Sequence, residues 1–79
     1  MSDREQLEQL VRNAFCWVLG VEHVELDDDF FLLGGNSFLV VRLVQRMRGA
    51  GLDLDYVVVF TGRSVRGIVD QLRAVAGAS

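Results

Sequence analysis

Apolar side chains at Leu7, Leu10, Val11, Ala14, Phe15 and Val18 fall at i, i+3, i+4, i+7, i+8 and i+11, the spacing of one face of an α-helix. The same period returns at Val40, Leu43, Val44 and Met47, and again at Val65, Ile68, Val69, Leu72, Val75 and Ala76. Three amphipathic helices with one apolar face each must bury those faces against one another, so the chain reads as a small helical bundle. Helix punctuation agrees. Ser2 with Glu5 three residues on has capping-box spacing, and Gly20 follows the first stripe as a stop. Gly34-Gly35-Asn36 interrupts the chain before a helix opening at Ser37, which Gly49 and Gly51 close. Gly62-Arg63 forms a turn, Ser64 is a favoured N-cap for the last helix, and Gly77 ends it.

Tyr56-Val57-Val58-Val59-Phe60 has the composition of a strand. A lone strand has no partner, and no second β-rich run exists here, so a short helix or turn is expected over about 53–60. The expected order is a helix over about 3–19, a long loop over about 20–36, a helix over about 37–48, the short element, and a helix over about 65–76. All of it forms one domain over 1–79.

Nothing but packing is available to hold such a fold. One cysteine, Cys16, and one histidine, His23, exclude an internal disulfide and a structural zinc site. No apolar run reaches the roughly 20 residues of a membrane span, and the first residues lack the basic start and apolar stretch of a secretory signal. A lone thiol suits a cytoplasmic protein. The net charge of −3 argues against nucleic acid, and Arg42, Arg46 and Arg48 are too small a cluster to change that. Glu22, Glu25, Asp27, Asp28 and Asp29 crowd the long loop, either as a solvated segment or as a docking surface for basic partners.

The middle helix carries more apolar surface than one core needs. With Val40, Leu43, Val44 and Met47 facing inward, Phe38, Leu39 and Val41 are left over, and Phe38, Val41 and Gln45 share a second face. Either the long loop folds across them or they are kept exposed for a partner. Trp17, off the inward stripe of the first helix, either packs over the bundle edge or adds a second contact surface.

Ser37 stands at the head of that helix. A serine there is an ordinary N-cap, and glycines before it allow a turn. The place also suits covalent modification, because a helix N-terminus offers unpaired N–H groups and partial positive charge to an attached phosphate. Gly34 and Gly35, without Cβ atoms, would let a modifying enzyme approach, and Phe38 and Val41 would give it a grip. Other chemistry fits poorly. A phosphate-binding P-loop needs a lysine, and the chain has none. A nucleophile elbow needs Gly-x-Ser-x-Gly and a longer chain. Ser37 with His23 has the residue types of a hydrolase but no evident oxyanion support or pocket.

The string Asp28-Asp29-Phe30-Phe31-Leu32-Leu33-Gly34-Gly35-Asn36-Ser37-Phe38 resembles the core motif of peptidyl carrier proteins, the thiolation domains of nonribosomal peptide synthesis, whose pattern is Asp-x-Phe-Phe-x-Leu-Gly-Gly-x-Ser-Leu. Val18-Leu19-Gly20 looks like the end of that family's first helix, and Phe60 with Ser64-Val65 stands where the family has Phe and Thr-Val before its last helix. Four departures stand out. Asn36 replaces the usual His or Asp, Phe38 the usual Leu, and Arg63 a proline, while Tyr56 to Val59 is unusually β-branched.

The resemblance implies an all-α four-helix bundle of the acyl-carrier-protein type whose Ser37 carries 4′-phosphopantetheine, installed from coenzyme A by a phosphopantetheinyl transferase. The arm's thiol would hold an aminoacyl group as a thioester for an adenylation enzyme and for downstream condensing or tailoring enzymes. The domain itself would be no enzyme, have no catalytic residues or metal, and act as a monomer. In related carriers the second helix meets partners, which implicates Phe38, Val41, Arg42 and Gln45. The initiator Met1 and the Ala-Gly-Ala-Ser end point to a free-standing carrier. Two alternatives stay open: an aryl or fatty-acyl carrier, and an unmodified helical interaction domain.

Overall fold

The structure is a computed structural model that describes the backbone of residues 3–78 and the side chains of residues 3–74. The proposed cap Ser2 and the stripe positions Val75 and Ala76 lie outside those described side chains. Four helices follow in order: α1 (Asp3–Leu19), α2 (Ser37–Gly49), α3 (Tyr56–Gly62) and α4 (Val65–Ala78). There are no strands among the described residues. Helix α1 packs on α2 and α4, α3 packs on α4, and α2 touches α3.

The stripes read from the sequence supply most of the core. Val11, Ala14 and Phe15 of α1, Val40, Leu43, Val44 and Met47 of α2, and Val65, Ile68 and Val69 of α4 are buried. Leu7, Leu10, Val18 and Leu72 pack around them, half-buried. The long loop completes the core from the side. Its Val24 and Phe30 are fully buried, and the Phe30 ring meets Phe15 edge-on at 5.0 Å. Such an edge-to-face pair gains electrostatic attraction beyond the area it buries.

Three element boundaries differ from the sequence expectation. Gly77 does not end the last helix, which runs on to Ala78. Helix α3 starts at Tyr56 and reaches Gly62, with the Asp55 carboxylate accepting from the Val57 amide at 3.5 Å. The β-branched run is therefore helical. Val59 is fully buried in the core, so tertiary packing overrides strand propensity. The Gly62-Arg63 turn also has an unexpected form. Gly62 is still helical, and Arg63 takes the left-handed conformation with φ 64°. A glycine there would carry no steric cost, but Arg63 has partners that hold it, described below.

Helix α1 stops as expected. Gly20 has φ 71°, and the amides of Gly20 and Val21 both donate to the Cys16 carbonyl, at 2.9 and 3.1 Å. This left-handed ending satisfies a carbonyl that the helix leaves free.

Candidate functional site

The chain delivers Ser37 to the surface through a loop that is pinned, not slack. Two backbone bonds fasten it to the turn after α3 and to the first turn of α4: the Phe30 amide donates to Arg63 O at 2.6 Å, and the Arg66 amide donates to Leu26 O at 2.9 Å. Two ion pairs run beside them, Arg63 to Asp29 at 2.6 Å and Arg66 to Asp27 at 2.8 Å. The Arg63 guanidinium also lies 5.0 Å from the Phe31 ring centroid, and Phe31 stacks on Phe60.

The acidic loop therefore has a job that neither sequence reading anticipated. Asp27 and Asp29 grip arginines of this same chain, the Asp28 carboxylate accepts from the Glu25 amide, and Glu25 contacts His23. Arg63, the departure from the family's proline, is the ion-pair partner of Asp29.

Asp29 does a second job. Its Oδ1 accepts from the amides of Phe31 at 2.8 Å and Leu32 at 3.3 Å, which folds the chain back over residues 29–35. The Arg63 hydrogen bond, helped by those two amides, holds the Asp29 carboxyl below its ordinary pKa. The turn closes where the Gly35 amide donates to Phe30 O at 2.9 Å.

The two glycines serve the fold in different ways. Gly34 has φ 110°, which side-chain-bearing residues rarely adopt, and its Cβ direction is open. At Gly35 a Cβ would stand 2.4 Å from two carbons of the buried Phe30 ring and 2.7 Å from the Phe30 carbonyl oxygen. The missing side chain at Gly35 is thus demanded by Phe30 from within. The expectation that both glycines clear a path for another enzyme holds at most for Gly34.

One assignment at the helix mouth is corrected. Ser37 is not the N-cap of α2. Asn36 is, with extended backbone and its Oδ1 accepting from the Leu39 amide at 3.0 Å. Ser37 is the first helical residue and is exposed. Among the described residues no hydrogen bond engages the Ser37 hydroxyl. Its imagined catalytic partner is occupied elsewhere, since His23 Nε2 lies 2.8 Å from Glu25.

The surface around Ser37 is apolar. Phe38 is 70% exposed and Val41 39%, so the long loop inserts its own side chains into the core without covering them. Leu39, by contrast, packs half-buried against the core and does not belong to the exposed face. Phe38, Val41, Arg42 and Gln45 line one open groove together with Arg46 and Trp17. Trp17 is 53% exposed, with the Arg46 guanidinium 4.2 Å and the Arg42 guanidinium 5.8 Å from its ring centroid. Trp17 thus packs over the bundle edge against arginines of α2 while about half of it stays exposed. The sequence did not link it to α2, because only the crossing of α1 and α2 brings them together. Leu32 in the loop and Val57 and Phe60 on α3 are further exposed apolar residues that periodicity did not single out.

Among the described residues no cluster of three or more His, Cys, Asp or Glu side chains could hold a metal ion. None of their helices is long and apolar enough to cross a membrane. The structure is thus a small four-helix bundle with an exposed serine at the start of α2 beside the exposed Phe38 and Val41.

The chain belongs to the phosphopantetheine attachment site family, whose model matches residues 9–72. That family carries covalently bound 4′-phosphopantetheine, and its carrier domains are not catalysts. In sequence the chain is 40% identical over 73 residues to a linear gramicidin synthase of Brevibacillus parabrevis, covering 91% of this chain and 1% of that protein. The chain spans about 1% of the length of the first curated relatives it matches. Among solved structures it superimposes on BlmI, a type-II acyl carrier protein of Streptomyces verticillus involved in bleomycin biosynthesis. The TM-score is 0.83 at 28% identity, over 92% of this chain and 89% of that one. A nonribosomal peptidyl carrier domain gives a TM-score of 0.78 at 34% identity, over 89% of this chain and 88% of that one. The chain is a carrier domain of the nonribosomal peptide synthetase type, with the four-helix fold of acyl carrier proteins.

Proposed function

We propose that Ser37 is the residue to which 4′-phosphopantetheine is attached, and that this chain is a free-standing peptidyl carrier protein. The observation that carries the first part is the division of labour at the mouth of α2. Asn36 caps the helix, and the neighbouring Ser37 hydroxyl is exposed and unengaged. The site fits the group. An attached phosphate would stand at the start of a 13-residue helix, where the first N–H groups and the macrodipole favour negative charge.

When bound, the prosthetic group supplies a flexible arm whose terminal thiol holds an acyl group as a thioester. Attachment forms a bond from the Ser37 oxygen to the pantetheine-bearing phosphorus of coenzyme A. The phosphoanhydride bond breaks, adenosine 3′,5′-bisphosphate leaves, and the hydroxyl proton passes to the transferase. The chain's own residues then have three tasks. The pinned loop keeps Ser37 at a fixed place, the core keeps the body small and rigid, and Phe38 and Val41 give visiting enzymes an apolar hold. Tethering raises the effective concentration of the cargo at each partner. The contacts should be small and short-lived, since the carrier must leave each enzyme for the next.

The cargo in this reading is aminoacyl. The partners are a phosphopantetheinyl transferase, an adenylation enzyme and downstream condensing or tailoring enzymes, served in the cytoplasm by a monomeric carrier. Support for an aminoacyl cargo comes from relatives such as the gramicidin synthase. Support for a free-standing protein comes from the match to most of BlmI, described as a type-II carrier.

Incubation with coenzyme A and a phosphopantetheinyl transferase should add one phosphopantetheinyl mass to the wild type and none to Ser37→Ala. An unchanged wild-type mass, beside a control carrier that is modified, would overturn the assignment. Loading by amino-acid-activating enzymes, against aryl- and fatty-acid-activating ones, decides the cargo. Detecting the endogenous protein at single-domain size, not within a long synthetase, decides whether it stands alone.

A further inference from the structure

Arg63 holds a backbone conformation that its side chain opposes, with φ 64°, and it is tied on four sides. Its amide donates to Val59 O at 3.0 Å, and its carbonyl accepts from the Phe30 amide at 2.6 Å. Its Nε donates to Asp29 Oδ2 at 2.6 Å, and its guanidinium carbon lies 5.0 Å from the Phe31 ring centroid. A proline here, locked at φ of about −65°, could neither adopt that backbone nor form that ion pair.

The ties lead to Ser37 in unbroken steps. Asp29 Oδ1 accepts from the amides of Phe31 and Leu32, the Gly34 amide donates to Phe31 O at 3.2 Å, and the Gly35 amide donates to Phe30 O at 2.9 Å. Asn36 then caps α2 at the Leu39 amide, and Ser37 follows. The two halves of this turn are held differently. Phe30 is anchored by burial in the core, whereas Phe31 is half-buried and Leu32 is 86% exposed. The outer half therefore depends on the hydrogen bonds to Asp29, and Arg63 fixes the carboxylate that accepts them. The Arg63 side chain is itself about half exposed, and an exposed ion pair adds little to global stability. Its effect is local, on the order of the turn that carries the serine.

We propose that Arg63 is a positioning residue for the modification of Ser37: through Asp29 it holds the outer half of the 29–35 turn and so presents the hydroxyl to the transferase in one place. This deepens the carrier reading and rests on Ser37 being the attachment point. A loosened turn offers the competent arrangement only part of the time, and apparent affinity falls by that fraction. Once seated, the enzyme itself holds the serine. Loss of the tie should therefore raise KM and leave kcat nearly unchanged.

Rates of phosphopantetheinyl addition are read by intact mass at varied carrier concentration. Arg63→Gly removes the side chain and suits the left-handed backbone, and its KM should rise roughly fivefold. Asp29→Asn keeps an oxygen for the two amides but loses the charge, and should raise KM as well. The two changes shift net charge in opposite senses, so a long-range charge effect would move KM in opposite directions. The double variant should be no worse than the poorer single one. Arg63→Lys, which keeps the cation, should recover most of the loss. Asp53→Asn, which breaks the exposed pair with Arg48 elsewhere, should behave like the wild type. Without any transferase, hydrogen exchange at the Phe31, Leu32 and Gly35 amides should quicken in Arg63→Gly and Asp29→Asn, while the core residues Leu43 and Ile68 keep their protection.

A wild type that is modified no faster than Arg63→Gly overturns the inference alone. A wild type that gains no mass, beside a control carrier that does, overturns the attachment reading and this inference with it. Slow modification of Arg63→Gly with normal modification of Asp29→Asn would make Arg63 a direct contact of the transferase, against the proposal. Quickened exchange at Leu43 and Ile68 as well would make the effect one of general stability, with the same consequence.

Discussion

Adding one methyl group at Gly35 should unsettle the whole approach to Ser37. A Cβ there would sit 2.4 Å from Phe30 Cδ2 and Cε2 and 2.7 Å from the Phe30 carbonyl oxygen. Neither neighbour can give way cheaply. The Phe30 ring is fully buried against Phe15, and its backbone is fixed by the Arg63 carbonyl and by the Gly35 amide itself. Overpacking of this kind costs about 1–3 kcal/mol. Against that, alanine narrows the unfolded ensemble and returns about 0.4–1 kcal/mol. The net loss is about 1–2 kcal/mol, from a total of roughly 4–12 kcal/mol for a domain this size. At roughly 4–8 °C per kcal/mol, Gly35→Ala should melt about 5–15 °C lower.

Gly49→Ala is the matched control. It sits at the end of α2 with nothing within 4 Å of its Cβ direction, so it should be neutral or stabilising by up to about 1 kcal/mol. Thermal and urea melts of both variants, followed by circular dichroism, make the comparison. A double-mutant cycle with Phe30→Leu tests the cause, since a smaller side chain should relieve the clash, with a coupling of about 0.5–3 kcal/mol. The reasoning is refuted if Gly35→Ala is as stable as the wild type, or if its cost is the same with leucine at position 30.

Asn36→Ala should cost about 1 kcal/mol in a urea melt, because the Leu39 amide loses its cap, while Ser37→Ala should cost far less. This order reverses what a capping serine would give. Asp29 has a folded pKa below its ordinary value of about 3.9. Its contribution is therefore complete above that value and disappears as the pH falls through the lower folded one. Asp29→Asn should lower stability at neutral pH and flatten the acid limb of the stability profile, measured by melts between pH 2 and 7.

The helices were readable because amphipathic period is a local property, carried in full by stripes such as Val40, Leu43, Val44 and Met47. Ser37 was picked out as the proposed attachment point because a motif of fixed spacing surrounds it. What escaped is whatever depends on two distant segments meeting. Asp29 and Arg63 stand 34 positions apart, and each looked idle or anomalous alone. Together they explain why a cationic residue accepts a left-handed backbone where a glycine would carry no cost: its guanidinium pairs with Asp29, its carbonyl takes the Phe30 amide, and its guanidinium carbon stands 5.0 Å from the Phe31 ring centroid. The β-branched α3 is a related case, because Val59 has a core to enter only once the other helices have assembled. Trp17 follows the same rule on the outside of the bundle. It is an unexplained aromatic on α1 until the crossing with α2 sets Arg42 and Arg46 over its ring. A motif can thus be read from one short string, whereas the groove that joins Trp17 of α1 to Arg42 and Arg46 of α2 is set only by the crossing of the two helices.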